Sequence, residues 1–516
     1  MGVWDPWVRA AVYLPGRAFR WAAAHPETAQ EQLWRAIWSE VGSSPFWRRH
    51  GPSSRLSEFP IRTYEDYQPA IEEGFQTGVG QLSTKPVRFY AATGGTTSNR
   101  PKRFPVTDAY AIQRRRVAGA FAWSLMQRTP DFRPGRVLSL TATAPVSSSP
   151  TGIPVGYISW YASQLRGRIA RRLSPLPGAL MQDDDAYQHW APLYALKHDL
   201  VRMAAVNASM LRAFAVQLDT HIDAWWPYLE GKTKPRGLPS ARVPPARLVA
   251  LKQAFSRERP TFRDIWPSLR SLLCWKAGVS GLQLSTLEPW LGDLPVRDSP
   301  LLCTEAWLTV PLWDERIGGA LHPSANVVEF LPLGRDAASD LLAPWELETG
   351  EDYEVVLTTS MGLARYRLHD VVRCTGYYER SPVLVFRHKA AFILRLGQVS
   401  IAESDVIEVL ARLELQPART WCMGPNDTGD GLRIWVKGTC EDRTETDVTA
   451  QMTRLASHLT AIEKVLSTVM PVYDHDRRVG WMRAPDVSVL AADHPVWDQP
   501  THAQAKPRLL LPSWLD

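Results

Sequence analysis

Cysteine is scarce in this chain, five residues in 516. Cys274, Cys303, Cys374, Cys422 and Cys440 show no paired spacing. That argues against a zinc site and a disulfide framework, and predicts free thiols in a reducing cytoplasm. Long apolar runs are missing too. No stretch reaches the roughly 20 residues that span a bilayer, so no membrane partner is expected. The opening MGVWDPWVRAAVYLPGRAFRWAAAH carries Asp5, Arg9, Arg17 and Arg20 through its apolar stretch. It reads as an amphipathic helix docked on the body, not as a signal peptide. Nor does one sign of charge dominate. Lys and Arg total 59 against 53 Asp and Glu, a net charge of +6. The basic residues are dispersed and no nucleic-acid motif is present, so no nucleic acid partner is expected. A mildly basic surface suits an anionic nucleotide substrate. The 22 tryptophans run from Trp4 to Trp514 without a fixed period, which argues for core and pocket lining rather than a repeat. The remainder is ordinary globular composition, about three domains' worth by length.

The stretch with chemical character is YAATGGTTSNRPKRFPVT, Tyr90 to Thr107. Val87 to Ala92 reads as a strand, so the run Thr93, Gly94, Gly95, Thr96, Thr97, Ser98, Asn99 is a loop leaving a strand, with Lys102 on a short tether behind it. Glycines let backbone N–H groups approach closely and turn inward. Hydroxyls donate to phosphate oxygens, and a lysine adds a mobile point charge. The composition therefore suits a polyphosphate, with an ordinary Gly/Ser/Thr surface loop as the open alternative. It is not a Walker loop, because no Gly-Lys-Ser/Thr follows the glycines.

Along the chain, Trp21 to Val41 has helical periodicity, and Thr63 with Asp66 marks a helix start. Asp108 to Gln127 predicts a helix, Arg136 to Ala144 a buried strand, and Leu196 to Leu218 a long helix containing Asn207 and Ser209. Asp183, Asp184 and Asp185 cannot all face one ion and read as a solvated loop or helix start. The basic, proline-rich stretch 231–246 reads as a connection. Ser271 to Gly281 reads as a strand and a glycine turn. Its Gly278, Ser280 and Gly281 miss the nucleophile-elbow spacing by one residue, so no serine nucleophile is assigned. Glu305 in LLCTEAWLTVP is a hard oxygen donor suited to magnesium, or a strand-end acid in solvent. Asp370, three residues after Arg367, can pair with it.

The order Thr-Gly-Gly-Thr-Thr-Ser-Asn-x-x-Lys-x-x-Pro resembles the phosphate loop of the ANL adenylating superfamily. With the lead-in Pro-Ile-Arg-Thr-Tyr-Glu-Asp-Tyr and the run Arg365-Tyr366-Arg367, it resembles most closely the acyl acid amido synthetases, the auxin-conjugating Gretchen Hagen family. The resemblance covers roughly Ala24 to Leu510. It implies an α/β fold of ANL type: a large N-terminal domain, 1–379, with layered α/β sheets and a small β-barrel, and a small mobile α+β domain, 380–516. It also implies ATP and Mg2+, a carboxylic acid substrate, and an amine or amino acid acceptor.

By resemblance Thr93, Gly94, Gly95, Thr96, Thr97, Thr304, Glu305, Asp370 and Arg387 bind nucleotide. Lys102, Glu305 and Lys506 are catalytic, with Glu305 on the metal and Asp370 on both ribose hydroxyls. Trp275, Lys276, Ala277 and Gly278 lie beside the acyl substrate and adenine. SSSPTGIPVGYISWY resembles the small-residue loop near the acyl site, with a plain surface loop as its alternative. HAQAKPRLLLP resembles the closing Gln-x-Lys-x-Pro-Arg segment with one residue missing; otherwise it is a charged tail. Three positions depart from the pattern: His369 where glycine is usual, Ala390 where the hinge carries Asp or Lys, and Ser400 where lysine is common. They keep open a weakened nucleotide-binding scaffold as well as an acyl-CoA synthetase or stand-alone adenylating enzyme.

Overall fold

The structure is a computed structural model that describes residues 5–494 apart from 52–53, 93–101, 129–134, 142–144, 146, 166–173, 183, 391–392, 397–398, 413–420, 427, 429–430, 438–458, 469, 480–481 and 492–493. The chain divides into two compact units. The first is Met1–Lys276, Leu287–Leu368 and Val372–Val385; the second is Ala277–Thr286, His369–Val371 and Phe386–Asp516.

The first unit opens with α1 (Asp5–Ala24) and α2 (Pro26–Val41). The single helix predicted from Trp21 to Val41 is broken at His25, because Pro26 has no N–H to continue a helix but suits the first turn of a new one. Next come α3 (Pro45–His50), α4 (Tyr64–Thr77) and α5 (Asp108–Arg128). The α4 start is as expected: the Asp66 carboxylate accepts from the Thr63 backbone N–H at 2.7 Å. α1 packs on α5 at glycines. A Cβ on Gly16 would lie 2.2 Å from the Trp123 ring, and one on Gly119 2.7 Å from Pro15, so both must lack a side chain for the helices to meet.

Three sheets carry this unit. In the first, β1 (Val87–Ala92) pairs antiparallel with β2 (Arg103–Thr107). On its other side β1 pairs in parallel with β5 (Pro154–Gly156), which pairs with β4 (Ser147–Ser148); the small-residue segment thus forms strand and, over Ile158–Gln164, the helix α6. The second sheet is wholly parallel: β3 (Arg136–Ser139), β6 (Leu200–Ala204), β7 (Ser271–Leu273) and β8 (Val296–Arg297), in that order. It corrects two expectations. The strand starting at Arg136 ends at Ser139. The long helix expected from Leu196 to Leu218 is a strand, β6, followed by a helix. Parallel pairing to β3 and β7 overrides the local period. The helix, Ala208–Glu230, starts at Asn207, whose side chain accepts from the Met210 N–H at 3.1 Å. Asp184 opens the helix Asp184–Leu196, one of the two readings of the acidic run.

The third sheet stands where the small barrel was expected. It has six strands in the order β11 (Val327–Pro332), β12 (Asp352–Thr358), β13 (Tyr366–Tyr378), β14 (Ser381–Lys389), β10 (Gly319–Leu321) and β9 (Thr309–Val310). The main core lies between it, the N-terminal helices and the β1–β2 hairpin, with Trp47, Phe59, Tyr67, Phe89, Phe330 and Val372 among its buried residues.

The second unit has its own core, including Leu394, Ile401, Val406, Met423, Ile434, Leu466 and Tyr473. It contains the hairpin β15 (Ile393–Leu396) and β16 (Val399–Ala402), the helix Glu403–Arg412, and the sheet β17 (Trp421–Pro425), β18 (Leu432–Lys437) and β19 (Asp486–Leu490). The helix Gly278–Leu284 belongs to it as well and packs against Glu403–Arg412.

Candidate active site

The glycine and hydroxyl run is the connection of a two-stranded hairpin. Ala92 pairs with Arg103 and Ala91 with Phe104, so the two ends of the run are held side by side. Thr93, Gly94, Gly95, Thr96 and Thr97 themselves lie outside the described residues, as does Lys506. Lys102 is described. It closes the loop, half-buried, with Nζ 5.0 Å from the centre of the Tyr64 ring. The Tyr64 phenol accepts from the Arg103 N–H at 2.9 Å and donates to the Arg103 carbonyl at 3.3 Å. Sequence reasoning passed over Tyr64 because an aromatic at a helix start looks like core; the signal available was its place in the lead-in motif.

Thr304 and Glu305 occupy a tight bend, not the end of a strand. Leu302 and Trp307 bridge antiparallel across it, and the Cys303 N–H donates to the Ala306 carbonyl at 2.8 Å. The strand β9 begins only at Thr309. Glu305 is 5% exposed, which sets aside the reading of a solvated acid. Its charge is felt by Tyr110. Burial pushes that phenol up, Cys303 and Glu305 add to the rise, and Arg114 and Trp307 oppose it.

Trp275 and Lys276 follow β7. The Trp275 indole donates to the Pro300 carbonyl at 3.0 Å. The Lys276 ammonium donates to the Asp314 carbonyl at 3.1 Å, and its backbone N–H to Asp298 at 3.0 Å. Asp298 also accepts from the Gly318 and Ser299 N–H groups, at 2.7 and 2.9 Å. Burial raises its carboxyl above the ordinary range, with the three N–H donors opposing. This network fixes the backbone where β7 ends.

Arg365 and Arg367, both prominent in the sequence, are engaged in ion pairs. Arg365 grips Glu329 in two places, at 2.9 and 2.6 Å, and donates to the Phe59 carbonyl at 2.8 Å. It does so in the left-handed region, φ 48°. Arg367 pairs with Glu354 at 2.5 Å and Asp336 at 2.6 Å. The alternative partnership of Arg367 with Asp370 is therefore not the one formed.

In the second unit Asp370 is 7% exposed and its Oδ1 accepts from Lys389. His369 takes φ 61°, the conformation a glycine would supply; histidine is among the residues that tolerate it best. Its carbonyl accepts from the Ala390 N–H at 2.8 Å. Ala390 offers no side-chain charge, but Lys389 beside it does. Arg387 sits half-buried two residues earlier on β14. Ala277 caps the helix that begins at Gly278, whose φ of 62° again calls for glycine and whose missing Cβ faces Phe386 at 3.4 Å. Ser400 pairs with Arg395 across the β15–β16 hairpin.

Residues 17–296 match the GH3 family N-terminal domain, and residues 319–389 match the GH3 family central domain. The chain belongs to the GH3 family. Among GH3 relatives, the indole-3-acetic acid-amido synthetase GH3.3 of Arabidopsis thaliana is 23% identical over 424 residues, covering 73% of this chain and 69% of that one. The corresponding GH3.2 of the same plant is 23% identical over 433 residues, covering 74% and 77%. The solved acyl acid amido synthetase AtGH3.15, in complex with 2,4-DB, superposes with a TM-score of 0.79 at 18% identity over 99% of this GH3 chain and 95% of its own. A 2-hydroxyisobutyryl-CoA ligase in the postadenylation state gives 0.55 at 13% identity, over 95% and 90%. These likenesses show the fold, that of the ANL adenylating enzymes.

Proposed function

We propose that this GH3 protein is a cytoplasmic, ATP-dependent acyl acid amido synthetase. The observation that carries the reading is the pair of GH3 matches, whose spans hold the glycine and hydroxyl loop, Lys102, Asp370 and Arg387. Among the described residues no helix is long and apolar enough to cross a membrane. The chemistry has two steps. A carboxylate attacks the α-phosphate of ATP, giving an acyl-adenylate and pyrophosphate. An amine, often an amino acid, then attacks the acyl carbon and AMP leaves. No side chain need become a nucleophile, so the protein's part is positioning and charge neutralisation.

Thr93, Gly94, Gly95, Thr96 and Thr97 cradle the phosphates, and Lys102 adds the mobile cation. Thr304 contacts the nucleotide from its bend. Glu305 is a hard oxygen donor held in place by burial. Glu305, a single buried carboxylate, would hold Mg2+, and the ion would supply charge neutralisation at the phosphates. Asp370 holds the ribose. A carboxylate has about four acceptor positions, so the Lys389 pair leaves room for both hydroxyls. Arg387 supports the same nucleotide. Trp275, Lys276, Ala277 and Gly278 shape the acyl and adenine side; with the Lys276 ammonium given to a carbonyl, its contribution is backbone geometry. Lys506 acts on the phosphates in the first step, from a C-terminal domain that starts near residue 380.

Pyrophosphate exchange with a panel of acids, followed by mass identification of products formed with amines or coenzyme A, tests this reading. Amide formation supports it. Thioester without amide would make the protein an acyl-CoA synthetase, and absence of exchange with every acid would leave a nucleotide-binding scaffold.

A further inference from the structure

The surroundings of Lys102 are unusual for a surface lysine. Its ammonium lies on an aromatic face, 5.0 Å from the centre of Tyr64. Among the described residues it makes no ion pair. The neighbouring cation is placed elsewhere: Arg103 pairs with Glu72 at 3.0 Å and lies over Phe75 at 4.3 Å. The Tyr64 ring is held in place at its hydroxyl, by an aromatic neighbour and at its backbone. Its hydroxyl bridges the N–H and carbonyl of Arg103, the residue next to Lys102. Its ring centre lies 5.4 Å from that of Phe104, the two rings steeply tilted, and its backbone is the first turn of α4, closed by Thr63 and Asp66.

A carboxylate at this place would neutralise the ammonium and compete with an arriving triphosphate. A ring face does neither. It attracts the cation and leaves its charge whole. It also narrows the freedom of a long side chain that would otherwise sample many rotamers. We propose that Tyr64 is a positioning residue for Lys102, an aromatic seat that holds the ammonium at the end of the glycine and hydroxyl loop before nucleotide arrives. The proposal rests on the reading of Lys102 as the phosphate-binding lysine.

The test uses the full chain and pyrophosphate exchange measured across ATP concentrations. Position 64 is varied as Tyr64→Phe, as fluorinated phenylalanines and as Tyr64→Leu. Fluorination keeps the ring's shape but removes its negative face. Tyr64→Phe retains most of the apparent ATP affinity. The KM for ATP then climbs with each fluorine and is highest in Tyr64→Leu, about two- to tenfold in all, with kcat changing less. In a Lys102→Ala background the series is flat. A KM that ignores fluorination in the otherwise native chain overturns the proposal, since a structural tyrosine responds to shape alone. If Lys102→Ala exchanges at the native rate, the phosphate-lysine reading fails. If Lys102→Ala is impaired and the fluorinated series is flat, only the seat fails. Should Tyr64→Leu not fold, the fluorinated series decides alone.

Discussion

Lys102 and Asp370 make opposite demands on their surroundings. Lys102 must keep its charge uncommitted for an arriving phosphate, and it sits half-buried on an aromatic ring. Lys102→Ala is expected to leave the melting temperature nearly unchanged while slowing pyrophosphate exchange about 10²–10³-fold, the scale for removing one charge-stabilising group. Unchanged exchange would contradict its assignment. Asp370 must instead be rigid, and it is buried with Lys389 on one oxygen. Asp370→Ala should weaken ATP and AMP binding by about 1.5–3 kcal/mol in calorimetry, the worth of hydrogen bonds to a charged group. Lys389→Met serves as the control, because it breaks the pair and leaves the carboxylate. Equal affinity in Asp370→Ala and the native chain would remove the ribose from this residue. Lys102 and Glu305 were visible in the sequence because proline, glycine or threonine stands beside them, and Asp370 was visible only through its place in the stretch that resembles the amido synthetases. Tyr64 and Lys389 were not, because what they do depends on a partner far along the chain or on the other side of a hairpin.

At the scale of elements, the lead-in before α4 is tied to β13 by one arginine. Arg365 reaches the Phe59 carbonyl and both oxygens of Glu329 from a left-handed backbone, and the Arg62 N–H donates to the Arg365 carbonyl at 2.9 Å. Arg365→Ala would strand a largely buried carboxylate and is expected to cost about 3–5 kcal/mol in urea unfolding. Arg365→Lys should recover little, because an ammonium cannot make the planar two-point contact. Full recovery by lysine would show that only the charge matters. This tie explains a limit of sequence reading. The helix at Thr63 and the strand Val87–Ala92 were legible from capping and alternation. The strand Leu200–Ala204 was not, since LVRMA carries no period-2 signal and is extended because strands on both sides receive it.

For the whole molecule, the buried histidine His322 sets a response to acid. Its ring is 2% exposed against Phe19, and its Nδ1 accepts from the Ser324 N–H at 3.3 Å, as a neutral ring does. Burial first, then Arg116, pulls it down to about 3. The neutral form is the folded one. Its stabilisation is present above the ordinary histidine range near 6.5 and is lost as pH falls toward 3, at about 1.4 kcal/mol per pH unit while only the unfolded chain takes the proton. Denaturant midpoints measured from pH 7 to pH 4 should fall, and His322→Gln should fall less steeply. Identical slopes would place the acid sensitivity elsewhere.

The second unit is assembled from three separate segments, 277–286, 369–371 and 386–516. On the ribosome, its first piece leaves the exit tunnel more than a hundred residues before its last. The helix Gly278–Leu284 must therefore wait for Glu403–Arg412, the helix it packs against. A gene fragment starting at residue 380 omits that helix and is expected to be poorly soluble, whereas supplying 277–286 as a peptide in trans should raise its melting temperature. A fragment that folds equally well without the peptide would show that the tail matures on its own. Otherwise this is a protein whose last 130 or so residues complete a structure begun much earlier in translation.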